Sequence, residues 1–381
     1  MRKLPIISSA VAKKLVRKYG SPLYVYREDL VAHAYRSLRD AIPYPNTTIF
    51  YASKANANKD ILKLLRKEGA SCEAVSIGEV HAALAGGFPP HRISYTCSNI
   101  PREELLAVMR TGVRVHLDSI NQIKWWGEAK PGSRISIRVN RGFGAGHHSH
   151  VITGGVGSKF GIHFSQLAEA KKIAVHYKLT IVGLHQHIGS NILNPKAFIR
   201  AMKLLLQSAR EFSDLEFLDF GGGFGIPYHP KEKPLDLRVL GKDMTSLFTD
   251  FSRSYGRKLE FSVEPGRYIV AAAGALLAEV VDIKKTPAHT FVGINSGFNH
   301  LIRTAMYDSY HHIFNLTNPR GKVQPITVAG YICESGDVFC KDRPIPAPRL
   351  GDLLLFADAG AYGYAMSSNY NLRPKPKEIV I

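Results

Sequence analysis

One lysine, Lys54, sits among small residues in FYASKANAN (50–58), between a run of β-formers at 47–51 and apolar residues at helical spacing over 58–66. An amine at that point is either an ordinary surface charge or a nucleophile aimed into a site. Other stretches hold residues with comparable options. GLHQHIGS (183–190) offers His185, His187 and Ser190; two histidines two apart in a strand share a face, where they can bind metal or simply pack. DFGGGFG (219–225) sets Gly221, Gly222 and Gly223 in a row, either a tight turn or a cradle of bare N–H groups for an anion. EPGR (264–267) adds a carboxylate, Glu264, next to Gly266 and Arg267.

What these groups can do depends on the elements that carry them. Past Arg27, strand patterns recur at 47–51, 72–76, 92–97, 113–118, 135–139, 181–187, 215–220 and 259–264. Helical patterns follow seven of them, at 58–66, 78–85, 102–110, 119–126, 164–177, 195–212 and 242–255. Eight such units predict an α/β fold with a closed (β/α)8, TIM-like barrel over 31–267. An open doubly wound sheet is the competing fold, but it would place its phosphate loop after the first strand, not the seventh. In a barrel the chemistry gathers at the carboxyl ends of the strands. Lys54, Glu73, Ser76, His185, His187, Ser190, the glycines, Glu264 and Arg267 all fall there. From 268 to 381 the pattern changes to β segments (288–295, 324–333, 352–358, 378–381) with Gly/Pro/Asn-rich joins, which predicts a C-terminal all-β domain, a Greek-key barrel or sandwich. PLYVY (22–26) precedes the barrel, so residues 1–30 are expected to join that β domain.

Composition narrows the function classes. The 381 residues are 45% hydrophobic and 21% charged, ordinary for a globular chain. No apolar run reaches the roughly 18 residues of a membrane span, and Pro5 with the basic cluster after it makes a poor secretory signal. A cytoplasmic protein is expected, with no membrane partner. Cys72, Cys97, Cys333 and Cys340 have no CxxC spacing, which argues against a disulfide framework and a structural zinc. The net charge of +19 is spread along the chain without a basic, aromatic-interleaved run, so no nucleic-acid partner is expected, although small anions would be attracted.

A lysine, a phosphate-type cradle and a carboxylate around one barrel mouth suit a pyridine cofactor. Glu264 is placed to hold a ring nitrogen protonated, as the electron sink of pyridoxal 5'-phosphate (PLP) requires. The chain resembles the barrel-type (alanine racemase-like, fold type III) PLP-dependent decarboxylases, and within them the diaminopimelate decarboxylase branch. The resemblance runs almost end to end: YASKAN, GEVHAALAGGFPPHRI, GAGHHSHVITGG, SKFGI, GLHQHIGS, DFGGGFGIP, EPGR, NHLIRTAMYDSYH, CESGDVF and DAGAYGYAMSSNYN.

That resemblance implies roles. Lys54 is similar to the lysine that carries PLP, and His187 to the histidine stacked on its ring. Ser190, Gly222, Gly223, Gly266 and Arg267 resemble residues around the phosphate, Tyr362 a tyrosine reaching it, and Glu264 the partner of the ring nitrogen. Arg303 and Tyr307 resemble the pair that grips a substrate's distal carboxylate, with Arg267 and Tyr362 also bordering substrate. Cys333 and Glu334 resemble residues supplied across a homodimer interface, the thiol to reprotonate the α-carbon and the carboxylate to bind a distal ammonium. Lys159 is expected to pair with Asp337 of the second copy. Two positions depart from the pattern: Glu73 and His300 stand where relatives often have Asp. The expected reaction is decarboxylation of meso-2,6-diaminopimelate to L-lysine and CO2, on a small-molecule amino-acid substrate. Alternatives are a related decarboxylase of carboxynorspermidine, ornithine, lysine or arginine, and a racemase of the same fold. From other classes come a metal-dependent barrel hydrolase using the HxH pair and a non-catalytic PLP carrier.

Overall fold

The computed structural model describes residues 4–146, 154–155 and 157–381. The histidines His147, His148 and His150, expected near the site mouth, lie outside the described residues. The chain divides into two compact units, 32–226 with 234–268, and 1–31 with 227–233 and 269–381.

The first unit is the (β/α)8 barrel. Its strands are Thr47–Ala52, Ser71–Ala74, Ile93–Tyr95, Arg114–Leu117, Arg134–Asn140, Thr180–His185, Phe217–Asp219 and Glu260–Val263. All neighbours are parallel, and Phe261 to Val263 pair back onto Thr47 to Ile49, so the ring closes without an edge. Each expected strand is present. The helix after the first strand shows why these segments fold as they do. Asn58 caps Lys59–Lys67 by accepting from the backbone N–H groups of Asp60 and Ile61, and Ile61, Leu62 and Leu65 are buried. Three such side chains contribute about 1.5–3 kcal/mol each when fully buried. Two helices differ from the sequence expectation. The helix expected over 242–255 begins at Leu237, because Asp236 caps it by accepting from Val239 N–H. The one expected over 164–177 opens as a 3-10 turn, Phe164–Gln166, before Leu167–His176. A further helix, Glu28–Ala41, precedes the first barrel strand.

The second unit is built on a mixed eight-stranded sheet. Its longest strand, Gly274–Lys285, pairs with Leu353–Phe356 through its first half and with Thr290–Ile294 through its second, with a bulge between Val280 and Asp282. The N-terminal strand Leu23–Tyr26 runs antiparallel to 274–277 and parallel to Lys377–Val380. Leu23, Val25, Ala275, Leu277, Leu353 and Leu355 form one side of this unit's core, which the amphipathic helix Ser9–Tyr19 covers with Ala12 and Leu15. Among the described residues no helix is long and apolar enough to cross a membrane.

Candidate active site

The carboxyl ends of the barrel strands carry the polar groups. Lys54 lies in the single 3-10 turn Ser53–Ala55, directly after strand one. Its Nζ is 2.6 Å from Glu73 Oε2, and Glu73, on strand two, is only 1% exposed. A buried carboxylate therefore holds the amine, and Ser53 Oγ donates to the Glu73 carbonyl to tie the two strand ends together.

Glu264 follows strand eight and is buried. Its Oε2 lies 3.0 Å from Nε2 of His185, the last residue of strand six, while its Oε1 is buried with no hydrogen-bond partner among the described residues. Burial, then the nearby Glu73 carboxylate, pushes the Glu264 carboxyl up to about 8; Lys54 and Arg138 pull in the other direction. Burial, with Arg138 and Lys54 adding to it, holds the His185 imidazole far below its ordinary value, so that ring is neutral.

The strand ends at His185, so the two-residue periodicity stops there and the two histidines of the HxH pair do different things. His187 Nδ1 accepts the Gly222 N–H at 3.1 Å. The N–H of Gly221 is likewise committed, to Asp219 Oδ1 at 2.8 Å. The row of bare N–H groups expected from three glycines is corrected on this point: what Gly221 and Gly222 supply is close approach. A Cβ on Gly222 would stand 2.2 Å from the Glu264 carbonyl oxygen, and one on Gly221, at φ +67°, 2.1 Å from that of Gln186. Gly223, at φ +103°, passes Gly189 in the same way, and Gly266 packs on Ala52 and Ala55. Arg267 donates from Nη2 to Ser190 Oγ at 2.8 Å, which sets a guanidinium beside a hydroxyl on the loop that follows strand six.

The remaining candidates, Lys159 of the barrel apart, belong to the second unit. Arg303 is fully buried; it donates to His311 Nε2 (3.1 Å) and Ser309 Oγ (3.2 Å), and its guanidinium lies 4.3 Å from the Tyr228 ring centroid. His311 Nδ1 stands 2.8 Å from the Ala357 carbonyl and must donate there, which leaves Nε2 as the acceptor for Arg303. Tyr307 ends the short helix Arg303–Tyr307 and is partly exposed. Tyr362 holds a left-handed backbone, φ 56°, in the turn of DAGAYGY. Cys333 and Glu334 are exposed on one loop: the Cys333 N–H donates to Asn371 Oδ1 and Tyr370 OH donates to Glu334 Oε1. Asp337, buried, shapes that loop by accepting the N–H groups of Phe298 and Ile332. Lys159 Nζ lies 5.2 Å from the Phe160 ring centroid. His300 braces the unit, with Nε2 donating to the Pro374 carbonyl.

Sequence reasoning missed several of these partners. Asp219 and His116 went unremarked, as did His311 and Ser309. The nearest signal was the clustering of Asp219 with the glycines and of His311 with LIRTAMY. His116, Asp219 and Glu264 form the one group of three metal-type side chains close together among the described residues, and neither histidine of the HxH pair belongs to it.

The model of the pyridoxal-binding domain of pyridoxal-dependent decarboxylases matches residues 28–271. The diaminopimelate decarboxylase of Methanothermobacter thermautotrophicus is 43% identical over 99% of this chain and 90% of its own length. A crystal structure of a diaminopimelate decarboxylase superimposes with a TM-score of 0.92 at 32% identity, covering 99% of this chain and 92% of that one. The Helicobacter pylori diaminopimelate decarboxylase complexed with L-lysine does so at 0.90 and 31%, covering 97% and 93%. The barrel end fits the cofactor these relatives imply. It offers an amine, a buried carboxylate oxygen without a partner, and a glycine loop whose side-chain space is filled by backbone. The chain belongs to the PLP-dependent decarboxylases, in their diaminopimelate decarboxylase branch.

Proposed function

We propose that this protein decarboxylates meso-2,6-diaminopimelate to L-lysine and CO2, the last step of a lysine-forming route, as a cytoplasmic homodimer whose active sites are shared between copies. The observation that carries the cofactor chemistry is the unpartnered buried oxygen of Glu264 in the same barrel mouth as Lys54. Bound PLP supplies an electron sink for the pair left on the α-carbon when CO2 departs.

The chain's own residues do the rest. Lys54 Nζ is the amine that carries the cofactor and gives way to the substrate's amine. The Glu264 carboxyl, with its raised proton affinity, shares one proton with the ring nitrogen and keeps it there. Ser190, Gly223, Gly266 and Arg267 would hold the phosphate of a bound cofactor, Gly222 would let the loop pass close to it, and His187 would face the ring; Tyr362 resembles the tyrosine that reaches the phosphate. Arg303 is suited to a second carboxylate, since a planar guanidinium grips one through two parallel hydrogen bonds and His311, Ser309 and Tyr228 already fix its orientation. Tyr307, at the end of the same short helix, is its partner in that grip. Ornithine and lysine have no distal carboxylate for Arg303, which is why they rank below diaminopimelate. Glu334 of a second copy takes the distal ammonium, and its Cys333 Sγ delivers the proton that replaces CO2 on the α-carbon. The expected Lys159–Asp337 pair is left out of this reading, because Asp337 is buried and both its oxygens accept backbone N–H groups of its own chain.

The test is a panel of amino acids scored by CO2 release. Diaminopimelate should be turned over ahead of ornithine, lysine and arginine. Arg303→Ala should lower kcat/KM for it by about a hundredfold, the size of a charge-assisted pair, while leaving PLP bound. Lys54→Ala should abolish the visible absorbance of the lysine-bound cofactor. Faster release from ornithine would overturn the substrate assignment.

A further inference from the structure

We infer that His185 is a positioning residue for the ring-nitrogen carboxylate: it donates Nε2–H to Glu264 Oε2 and so leaves Oε1, and only Oε1, for the cofactor. The inference rests on the reading of Glu264 as the ring-nitrogen partner.

Three observations converge on it. First, His185 is the one side-chain donor on Glu264 among the described residues, at 3.0 Å, with side chains 1% and 3% exposed. Second, the tautomer follows from the partners. His185 Nδ1 is buried and has no hydrogen-bond partner. A doubly protonated ring would leave an N–H there unsatisfied, so the ring's proton sits on Nε2, facing the carboxylate. Third, His116, packed behind Glu264, is an acceptor on that side and cannot take over the task. Ser136 Oγ gives its single proton to the Gly183 carbonyl and therefore accepts from His116 Nδ1 at 2.8 Å. His116 Nε2 is then a bare lone pair. One ring nitrogen of His116 lies within 4.8 Å of an oxygen of Asp219 and one of Glu264. His116 also stacks on His185, centroids 4.6 Å apart and 24° between planes, which fixes the plane of the donating ring. The groups facing this pair from the neighbouring strands are Arg138, Lys54, Glu73 and Asp219. Burial pushes the Asp219 carboxyl well above its ordinary value, with the Glu264 charge adding to the shift.

A ligand pair separates positioning from mere packing: PLP, and its 1-deaza analogue, in which the ring nitrogen is replaced by C–H. The two are bound to full-length protein freed of cofactor, and the dissociation constants are compared for wild type, His185→Asn, His185→Gln and Glu264→Ala. His185→Asn keeps a polar side chain too short to reach Glu264. It should weaken PLP about tenfold, the scale of one hydrogen bond to a charged group, and leave the analogue unchanged. His185→Gln carries an N–H to about the place of Nε2 and should restore most of the loss. Equal weakening of both ligands in His185→Asn, or of neither, overturns the inference while Glu264→Ala still narrows the preference for PLP. A Glu264→Ala variant with the wild-type preference overturns the reading of Glu264 instead.

Discussion

Asp219 is the side chain in this molecule with the clearest consequence for pH. Its Oδ1 accepts the Gly221 N–H, its Oδ2 has no partner, and burial raises its proton affinity. In the unfolded chain the carboxyl ionises near its ordinary value; in the fold it keeps its proton well above that. Between the two values the folded state binds the extra proton, so stability falls as pH rises through the window. Asp219→Asn stays uncharged and keeps the acceptor for Gly221. The urea midpoint of the cofactor-free variant should therefore fall less than that of wild type as pH rises above the ordinary carboxyl range; identical slopes would show that Asp219 does not carry the proton. At this scale the sequence was informative where position along one strand decides the chemistry. Lys54 and Glu264 each follow a strand directly, and that is enough to place them at the barrel mouth. It was uninformative where partners come from strands far apart in the chain. Nothing local to VHLD (115–118) says that His116 stacks on His185, and nothing local to His311 says that it holds Arg303.

At the scale of elements, the loop after strand seven is the most demanding. Gly222 has no left-handed backbone, so its requirement is space alone: an added Cβ meets the Glu264 carbonyl oxygen at 2.2 Å and His187 Cε1 at 3.4 Å. The Glu264 N–H donates to the Gly221 carbonyl, so the two segments are held together beside this contact. Gly222→Ala should therefore destabilise by about 1–3 kcal/mol, the range for overpacking, read as a lowered urea midpoint with an unchanged m-value. A midpoint equal to wild type would mean that the loop has room to move. The eight barrel strands were legible because each is a short apolar run bounded by turn residues, the pattern of a strand buried on both faces. The strand Gly274–Lys285 was not. Its first seven residues are almost all buried and its last five mostly exposed, so it reads as an apolar run followed by charges, never as an alternation. The early start of the helix at Leu237 was hidden for a different reason: its signal is one capping aspartate at the end of a proline-rich excursion.

For the whole molecule, the shared site makes a quantitative prediction. Lys54→Ala and Cys333→Ala chains should each be nearly inactive alone. Mixed in equal amounts and allowed to exchange, half of the dimers would pair one of each and regain one intact site of two. Activity should rise to about a quarter of wild type if the dimer has two-fold symmetry and each site draws on both copies. No recovery, in a sample shown by light scattering to have exchanged, would confine each site to one chain. The expectation of this arrangement comes from the resemblance and not from composition: nothing in a net charge of +19 distinguishes a dimer from a monomer.

The strand Leu23–Tyr26 also has a consequence in time. It is made early, yet its two neighbours are residues 274–277 and Lys377–Val380. At the usual 5–20 residues per second, roughly 10 to 50 s pass on the ribosome before its first partner exists. Through that interval LYVY, four residues that end up wholly buried, waits as an unpaired apolar segment. The barrel, whose last strand closes onto its first at Val263, needs none of the later sheet for its ring of hydrogen bonds. The nascent chain can thus have Lys54 in a closed barrel before the sheet carrying Arg303 and Tyr362 is complete. The N-terminal strand is where a chaperone would find this protein most exposed.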